Sequence, residues 1–174
     1  MKPFALCFTG PSGSGKTTLA NLVAESLAGK LPLQVIDGDI LRGELGNLFG
    51  YTKEERRKQT QVVKVLAKYL LNQNVNVLIA IVAPYDDVRK GMREFLGESY
   101  LQVYVKCPYE VREARDVKGY YRLAQQNQMQ DLNGADAPYE VPDDAELVLD
   151  TSQLSASVCA DKVLACLRER GYGV

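Results

Sequence analysis

The stretch FALCFTGPSGSGKT, residues 4–17, joins an apolar run to a glycine-rich loop. Gly10, Gly15, Lys16 and Thr17 occupy the four fixed positions of the phosphate-loop motif G-x-x-x-x-G-K-[ST]. Glycines let backbone N–H groups turn toward an anion, and the N-terminus of a following helix adds partial positive charge. The stretch therefore predicts a buried strand, a phosphate-binding loop and a helix that begins at Lys16.

Two side chains of the loop have separate expected roles toward ATP. The Lys16 ammonium is expected between the β- and γ-phosphates, and the Thr17 hydroxyl is expected to ligate Mg²⁺. A glycine turn that binds no nucleotide is the alternative, and the strand before the loop and the helix after it disfavour that alternative. The predicted nucleotide-binding residues of the loop are Gly10, Ser12, Gly13, Ser14, Gly15, Lys16, Thr17 and Thr18.

The composition of the 174 residues excludes several classes of protein. With 46% hydrophobic and 25% charged residues, the chain is typical of a globular protein and not of a disordered one. A net charge of −1 argues against a general nucleic-acid or membrane-surface binder, and no apolar run is long enough to span a bilayer. The absence of histidine excludes a Ser-His-Asp triad and a His-based zinc site. The four cysteines form no C-x-x-C pair, and we expect a cytoplasmic protein.

Hydrophobic patterning beyond the loop predicts alternating strands and helices. Predicted strands cover residues 4–9, 33–36, 75–82, 100–106 and 147–149, and predicted helices cover 16–28, 52–71, 86–96 and 155–170. This alternation predicts an α/β fold, with a five-stranded, mostly parallel sheet and helices on both faces. No linker or repeat divides the chain, so residues 1–174 are predicted to form one domain. The polar segment 116–144 interrupts the pattern and predicts an active-site lid, with a solvated surface loop as the alternative.

Further motifs indicate which kind of phosphate-loop protein this is. The guanine-reading motif N-K-x-D is absent, and the strand at 75–82 is not followed at once by the acidic residue expected of a motor or transporter ATPase. Asp37-Gly38-Asp39 follows the second strand, at the sheet edge where ligands bind in α/β proteins. Two carboxylates there can hold the waters of Mg²⁺ or accept a proton from an acceptor hydroxyl, with a plain turn as the alternative. A small kinase fits these features best.

Several blocks of sequence together resemble the adenylylsulfate kinase family over essentially the whole chain. In chain order they are residues 10–18, 36–42 (IDGDILR), 48–52 (LFGYT), Pro84-Tyr85, 113–121 (EARDVKGYY) and 134–140 (GADAPYE). The last two blocks discriminate better between families than the phosphate loop does. The resemblance implies a P-loop kinase fold with a lid at about 116–144. It implies transfer of the γ-phosphate of ATP to the 3′-hydroxyl of adenosine 5′-phosphosulfate, giving 3′-phosphoadenosine 5′-phosphosulfate, with Mg²⁺ and usually by a homodimer.

The resemblance also implies roles for individual residues. Asp37 and Asp39 match the family's acidic pair, with Asp37 as the base and Asp39 as the ligand of the metal-bound water, although the spacing alone would allow the two roles to be exchanged. Arg42 and Arg56 match two arginines that hold the phosphosulfate group. The remaining implied positions are Arg115 toward ATP, Lys118 near the transferring group, Tyr51 against the substrate base, and Gln59, Ala83 and Leu132 in the acceptor pocket.

Three acceptor positions depart from the family pattern. Gln59 replaces an asparagine, Leu132 replaces the second phenylalanine of the base clamp, and Ala83 replaces a serine before Pro84. Leu132 is expected to lose part of the stacking on the base, Ala83 lacks a hydroxyl that could bond the acceptor, and the longer Gln59 is expected to crowd the pocket. The sequence therefore predicts weaker binding of adenylylsulfate than in a typical member. Two alternatives stay open: a kinase for the 3′-hydroxyl of another nucleotide such as cytidine diphosphoramidate, and a nucleotide-binding regulatory module without transfer.

Overall fold

A computed structural model describes residues 2–116, 119–126 and 138–174. Its strands are β1 (Ala5–Thr9), β2 (Leu33–Asp37), β3 (Asn76–Ala80), β4 (Tyr100–Lys106) and β5 (Leu147–Asp150). Its helices are α1 (Lys16–Leu27), α2 (Gly38–Glu44), α3 (Lys53–Asn72), α4 (Asp86–Leu96), α5 (Tyr109–Arg115), α6 (Tyr120–Gln125) and α7 (Ala156–Glu169). The predicted strands and long helices are confirmed near their expected bounds. The short helices α2, α5 and α6 are additional, and no sequence pattern predicts them.

The five strands form one sheet in the order β2-β3-β1-β4-β5, and all four pairings are parallel. The central strand β1 pairs Ala5 with Val77 on one side and with Tyr100 on the other. Because parallel strands all end at the same edge, the loops that follow them lie together there. The predicted parallel sheet is confirmed, and its carboxyl edge carries both the phosphate loop and the end of β2.

The side chains at the start of the chain alternate between two hydrophobic cores. Phe4, Leu6 and Phe8 pack with apolar residues of α1 and α7 on one face of the sheet. Ala5 and Cys7 pack with residues of α3 and α4 on the other face. Helices therefore cover both faces, as the near-continuous apolar strands predict. In the part of the chain that the structure describes, no helix has the length and apolar character needed to cross a membrane.

Capping side chains determine where the helices next to this edge begin. The carboxylate of Asp37 accepts the backbone N–H groups of Asp39 and Ile40 at 2.8 and 3.2 Å, which makes Asp37 the N-cap of α2. Thr52 caps α3, and Glu55 completes a capping box with it. The Asp37-Gly38-Asp39 motif is thus a helix start and not a plain turn, and it positions the first turn of α2 at the carboxyl edge of the sheet.

Candidate active site

The phosphate loop, residues 10–15, fits tightly between β1 and α1. A Cβ at Gly10 would lie 2.4 Å from the carbonyl oxygen of Val105, so any other residue there would displace β4. Gly15 precedes α1 in the left-handed region, with φ 99°, which also favours glycine. The ammonium of Lys16 donates to the carbonyl oxygen of Pro11 at 2.8 Å, so its charge is held across the loop.

The two carboxylates of the Asp37-Gly38-Asp39 motif differ in their surroundings. The hydroxyl of Thr17 donates to Asp37 Oδ2 at 2.6 Å, while Asp37 Oδ1 accepts the N–H groups that cap α2. Asp37 is buried, whereas Asp39 is exposed at the mouth of the same cleft. The contact between Thr17 and Asp37 joins the helix after β1 to the end of β2, across the end of β3 that lies between them.

A cleft opens beside these carboxylates, and aromatic and basic side chains line it. The ring of Tyr51 lies under two guanidinium groups, with its centroid 4.5 Å from the Arg42 carbon and 5.2 Å from the Arg56 carbon. Arg42 donates to Gln59 Oε1 and to the carbonyl oxygen of Phe49, and Arg56 donates to the carbonyl oxygen of Tyr51 at 2.7 Å. The cleft therefore has a positive wall that the protein itself holds in place.

Gln59 is built into this wall by its own hydrogen bonds, and its predicted crowding of the acceptor stays a prediction. Its Oε1 accepts from Arg42, its Nε2 donates to the carbonyl oxygen of Gly38 at 2.5 Å, and the residue is only 7% exposed. The amide is thus bonded at both ends. The Nε atom of Arg42 is buried and has no hydrogen-bond partner among the described residues, which leaves one donor of this arginine unused.

Tyr120, from α6, also lines the cleft, and sequence reasoning missed it. Burial, then the nearby carboxylate of Asp39, and also a hydrogen bond with Tyr51 raise the pKa of Tyr120 to about 12. The phenol therefore stays protonated at neutral pH and is available as a hydrogen-bond donor. The sequence held one signal for Tyr120, because it lies in the block 113–121. That block overlaps the segment 116–144, which is predicted to be a lid.

Arg115 lies on the other flank of the phosphate loop, away from the cleft. It donates to the carbonyl oxygen of Thr151 at 2.7 Å, and the Thr151 hydroxyl donates to the carbonyl oxygen of Ser14 at 2.9 Å. Tyr121 supports the loop in a similar way, since its hydroxyl donates to the carbonyl oxygen of Ser12 at 2.8 Å. Sequence reasoning missed Thr151 and Tyr121, although Thr151 directly follows β5 at the ligand-binding edge of the sheet.

The structure brings most of the predicted site residues into one cleft. Those that line it are Ser12, Lys16, Thr17, Asp37, Asp39, Arg42, Tyr51, Arg56, Gln59 and Ala83. Gly10, Gly13, Ser14, Gly15 and Thr18 belong to the adjoining loop and the first turn of α1, and Arg115 lies apart as described above. Lys118 and Leu132 lie outside the described residues, so their predicted roles stay predictions.

The residues present fit a nucleotide and Mg²⁺. The Ser14 hydroxyl is buried without a hydrogen-bond partner among the described residues, and a phosphate oxygen is the kind of acceptor it lacks. Thr17 and Asp37 offer hard oxygen ligands 2.6 Å apart. The described residues contain no cluster of three or more metal-ligating side chains. Mg²⁺ commonly binds through one or two carboxylates and substrate phosphates, so such a cluster is not required.

Comparison with known proteins agrees with this geometry. The sequence model of the family described as adenylylsulphate kinase matches residues 2–150. A protein of Synechococcus sp. (strain JA-2-3B'a(2-13)) named adenylyl-sulfate kinase is 41% identical over 166 residues, which are 95% of this chain and 94% of that protein.

Solved structures show the same likeness in three dimensions. The structure of the Mycobacterium tuberculosis APS kinase in complex with AMPPNP and APS has a TM-score of 0.90 and 29% identity, covering 96% of this chain and 98% of that one. A hexameric APS kinase from Thiobacillus denitrificans has a TM-score of 0.74 and 26% identity, covering 98% of this chain and 30% of that one.

Proposed function

The chain belongs to the adenylylsulphate kinase family, and on that basis we propose that it transfers the γ-phosphate of ATP to the 3′-hydroxyl of adenosine 5′-phosphosulfate. One observation carries the proposal: the Lys16–Thr17 end of the phosphate loop, the carboxylates of Asp37 and Asp39, and a wall of arginines line one cleft. A phosphoryl donor and an anionic acceptor can therefore meet in that cleft. The products are ADP and 3′-phosphoadenosine 5′-phosphosulfate.

The donor side of the reaction is assigned to the phosphate loop. Backbone N–H groups of residues 12–15 bind the phosphates, and Lys16 exchanges its contact with Pro11 for the β- and γ-phosphates. Thr17 and a neighbouring carboxylate are the residues that would hold Mg²⁺, which neutralises the charge on the phosphates. Thr18 and Arg115 complete the nucleotide-binding set. The contact that Arg115 makes with Thr151, which itself contacts Ser14, supports a role on this side of the loop.

The two carboxylates divide the remaining chemistry. The 2.6 Å contact with Thr17 supports Asp37 as the metal-side carboxylate, and the exposure of Asp39 supports it as the group that receives the proton of the acceptor hydroxyl. This proposal exchanges the two roles that the family resemblance implies, as the spacing allows. As the 3′-oxygen bonds to the γ-phosphorus, the bond to the bridging oxygen of ADP breaks and the hydroxyl proton passes to the carboxylate.

The acceptor side is assigned to the basic and aromatic wall. Arg42 and Arg56 bind the phosphosulfate group, and guanidinium groups suit such anions because they donate in a fixed fork. Tyr51 offers a face for the base, and Gln59 and Ala83 border the same space. We extend the proposal to Lys118, near the transferring phosphate, and to Leu132, beside the base. The segment 116–144 is proposed as a lid, and a homodimer as the assembly.

The test is an ADP-release assay with a panel of acceptors at fixed ATP. We expect adenylylsulfate to stimulate ADP release well above the rate without acceptor, and phosphate to be found on its 3′-oxygen. If a cytidine- or uridine-diphosphate derivative gives faster ADP release than adenylylsulfate, that derivative and not adenylylsulfate is the acceptor. Stimulation by no nucleotide, together with tight ATP binding, would instead support a regulatory module.

A further inference from the structure

The segment 82–86, which follows β3, forms one wall of the acceptor cleft and is held by two other parts of the chain, the end of β1 and the segment that contains Glu140. The carbonyl oxygen of Val82 accepts the Thr9 hydroxyl at 2.7 Å, and that of Pro84 accepts the N–H of Glu140 at 2.9 Å. The N–H of Asp86 donates to the carboxylate of Glu140 at 2.6 Å. Ala83 and Pro84 border the cleft directly.

Ala83 lies within this wall in a conformation that alanine avoids. Its φ is 39°, in the left-handed region, where an L-residue pays a steric penalty equivalent to a roughly 5- to 30-fold change in population. Its carbonyl oxygen accepts from Nη1 of Arg89 at 2.8 Å. This side-chain contact to the strained peptide therefore comes from α4, and Arg89 is not among the residues that line the cleft.

Arg89 is an unusual residue for such a position because it is only 1% exposed. Its one ion pair is with Asp86, at 3.5 Å, among the described residues, and its Nε atom has no hydrogen-bond partner among them. Its guanidinium carbon lies 5.7 Å from the centre of the Tyr139 ring. Burying a cation with so few polar partners lowers the stability of the fold, so we expect Arg89 to have a role that offsets this cost. Its hydrogen bond to the carbonyl group of Ala83 is the contact that can provide such a role.

Tyr139 connects Arg89 and the segment 82–86 to the residue that precedes the phosphate loop. Its hydroxyl is 2.9 Å from that of Thr9, the residue before Gly10, and its ring stacks on Tyr104 of β4. The segment Pro138–Glu140 thus contacts the end of β1 through a hydroxyl and the segment 82–86 through a backbone N–H and a carboxylate. Thr9 precedes the phosphate loop and Ala83 borders the acceptor cleft, so one short segment spans the donor and acceptor sides.

We propose that Arg89 and Glu140 are positioning residues for the acceptor: they hold Ala83 in its left-handed conformation and thereby fix the wall against which the acceptor nucleotide binds. This inference rests on the proposed function only in taking the cleft ligand to be the acceptor nucleotide. Without these contacts Ala83 relaxes toward negative φ and moves the wall. ATP binding should change less, because Thr9 and Gly10 contact the wall through Val82 and not through Ala83.

The experiment compares two dissociation constants by calorimetry, that of adenylylsulfate and that of the ATP analogue AMPPNP, in Arg89→Met and Glu140→Ala. We expect the acceptor constant to rise about tenfold in Arg89→Met, within the range of the left-handed penalty, and by less in Glu140→Ala. The AMPPNP constant should change by less than about twofold. Glu140 is exposed, so its variant keeps the test valid if Arg89→Met folds poorly.

Rescue separates positioning from a general structural role. Glycine adopts the left-handed region without penalty, so adding Ala83→Gly to Arg89→Met should restore most of the acceptor affinity. The matched control is Arg93→Met, one turn further along α4. Arg93 binds Asp144 and Glu146 and not the wall, so its loss should lower the free energy of unfolding and leave both affinities unchanged.

Wild-type turnover decides the proposed function, whereas the ratio of variant to wild-type binding constants decides this inference. Equal weakening of acceptor and AMPPNP binding in Arg89→Met, or no rescue by Ala83→Gly, would overturn the positioning role. A selective and rescued loss of acceptor binding would support it even if the wild type proved to transfer no phosphate.

Discussion

Replacing Asp37 by asparagine should separate the two roles that its carboxylate has in the structure. One oxygen caps α2 by accepting the N–H groups of Asp39 and Ile40, and the other accepts the hydroxyl of Thr17. Asparagine keeps a carbonyl oxygen for the cap and an amide group that can donate to the threonine oxygen. It loses the negative charge, which is what a metal-side ligand requires.

The capping role and the metal-side role of Asp37 predict effects of different size on stability and on the Mg²⁺ requirement. Asparagine and aspartate are almost equivalent N-caps, so the free energy of unfolding of Asp37→Asn should stay within about 0.5 kcal/mol of the wild type. Asp37→Ala should lose about 2 kcal/mol, roughly half from the cap and half from the bond with Thr17. Loss of a group that orients metal ligands typically lowers metal affinity by about 10- to 100-fold, and we expect the Mg²⁺ requirement of both variants to rise by that factor.

The assay is ADP release as a function of Mg²⁺ concentration at saturating ATP and acceptor, with urea unfolding of the same preparations. Asp39→Asn is the matched control, because it removes a carboxylate two residues away that does not cap α2. As the proposed proton acceptor it should lose about 100- to 10,000-fold in turnover with its Mg²⁺ requirement unchanged. If Asp39→Asn shifts the Mg²⁺ requirement and Asp37→Asn does not, the two roles are reversed. If neither variant alters catalysis, the motif only starts a helix.

Three further results are expected. Lys16→Ala removes the point charge from the phosphate loop and should lower turnover at least about 100-fold, and near-normal turnover would make the loop purely structural. Asparagine in Gln59→Asn is shorter by one carbon–carbon bond of about 1.5 Å, so its amide cannot contact both Arg42 and the Gly38 carbonyl group. The KM for adenylylsulfate should therefore rise about tenfold, and the KM for ATP should stay unchanged. An unchanged KM for adenylylsulfate would contradict this. Proteolysis within residues 116–144 should slow only when ATP analogue and acceptor are both bound, and equal rates in all states would contradict a lid.

The sheet and the donor side of the site could be predicted from the sequence because their signals are local. The phosphate loop is one contiguous motif, and each buried strand is a continuous apolar run whose meaning does not depend on distant residues. The short helices α2, α5 and α6 have six or seven residues each, too few to show a helical period. Helices of this length depend on tertiary contacts, such as the cap that Asp37 gives to α2.

The acceptor side resisted prediction for a different reason: its shape is set by partners far apart in the chain. Gln59 bonds to Arg42, 17 residues before it, and to Gly38, 21 residues before it. Because Gln59 is longer than asparagine, the sequence predicts crowding of the acceptor pocket. The same length lets its amide contact both Arg42 and Gly38. Arg42 and Gln59 therefore act as a unit. Gln59 holds Arg42 in place while the Nε donor of Arg42 has no partner among the described residues, so an anionic acceptor meets an arginine that Gln59 has positioned, and acceptor preference depends on the pair.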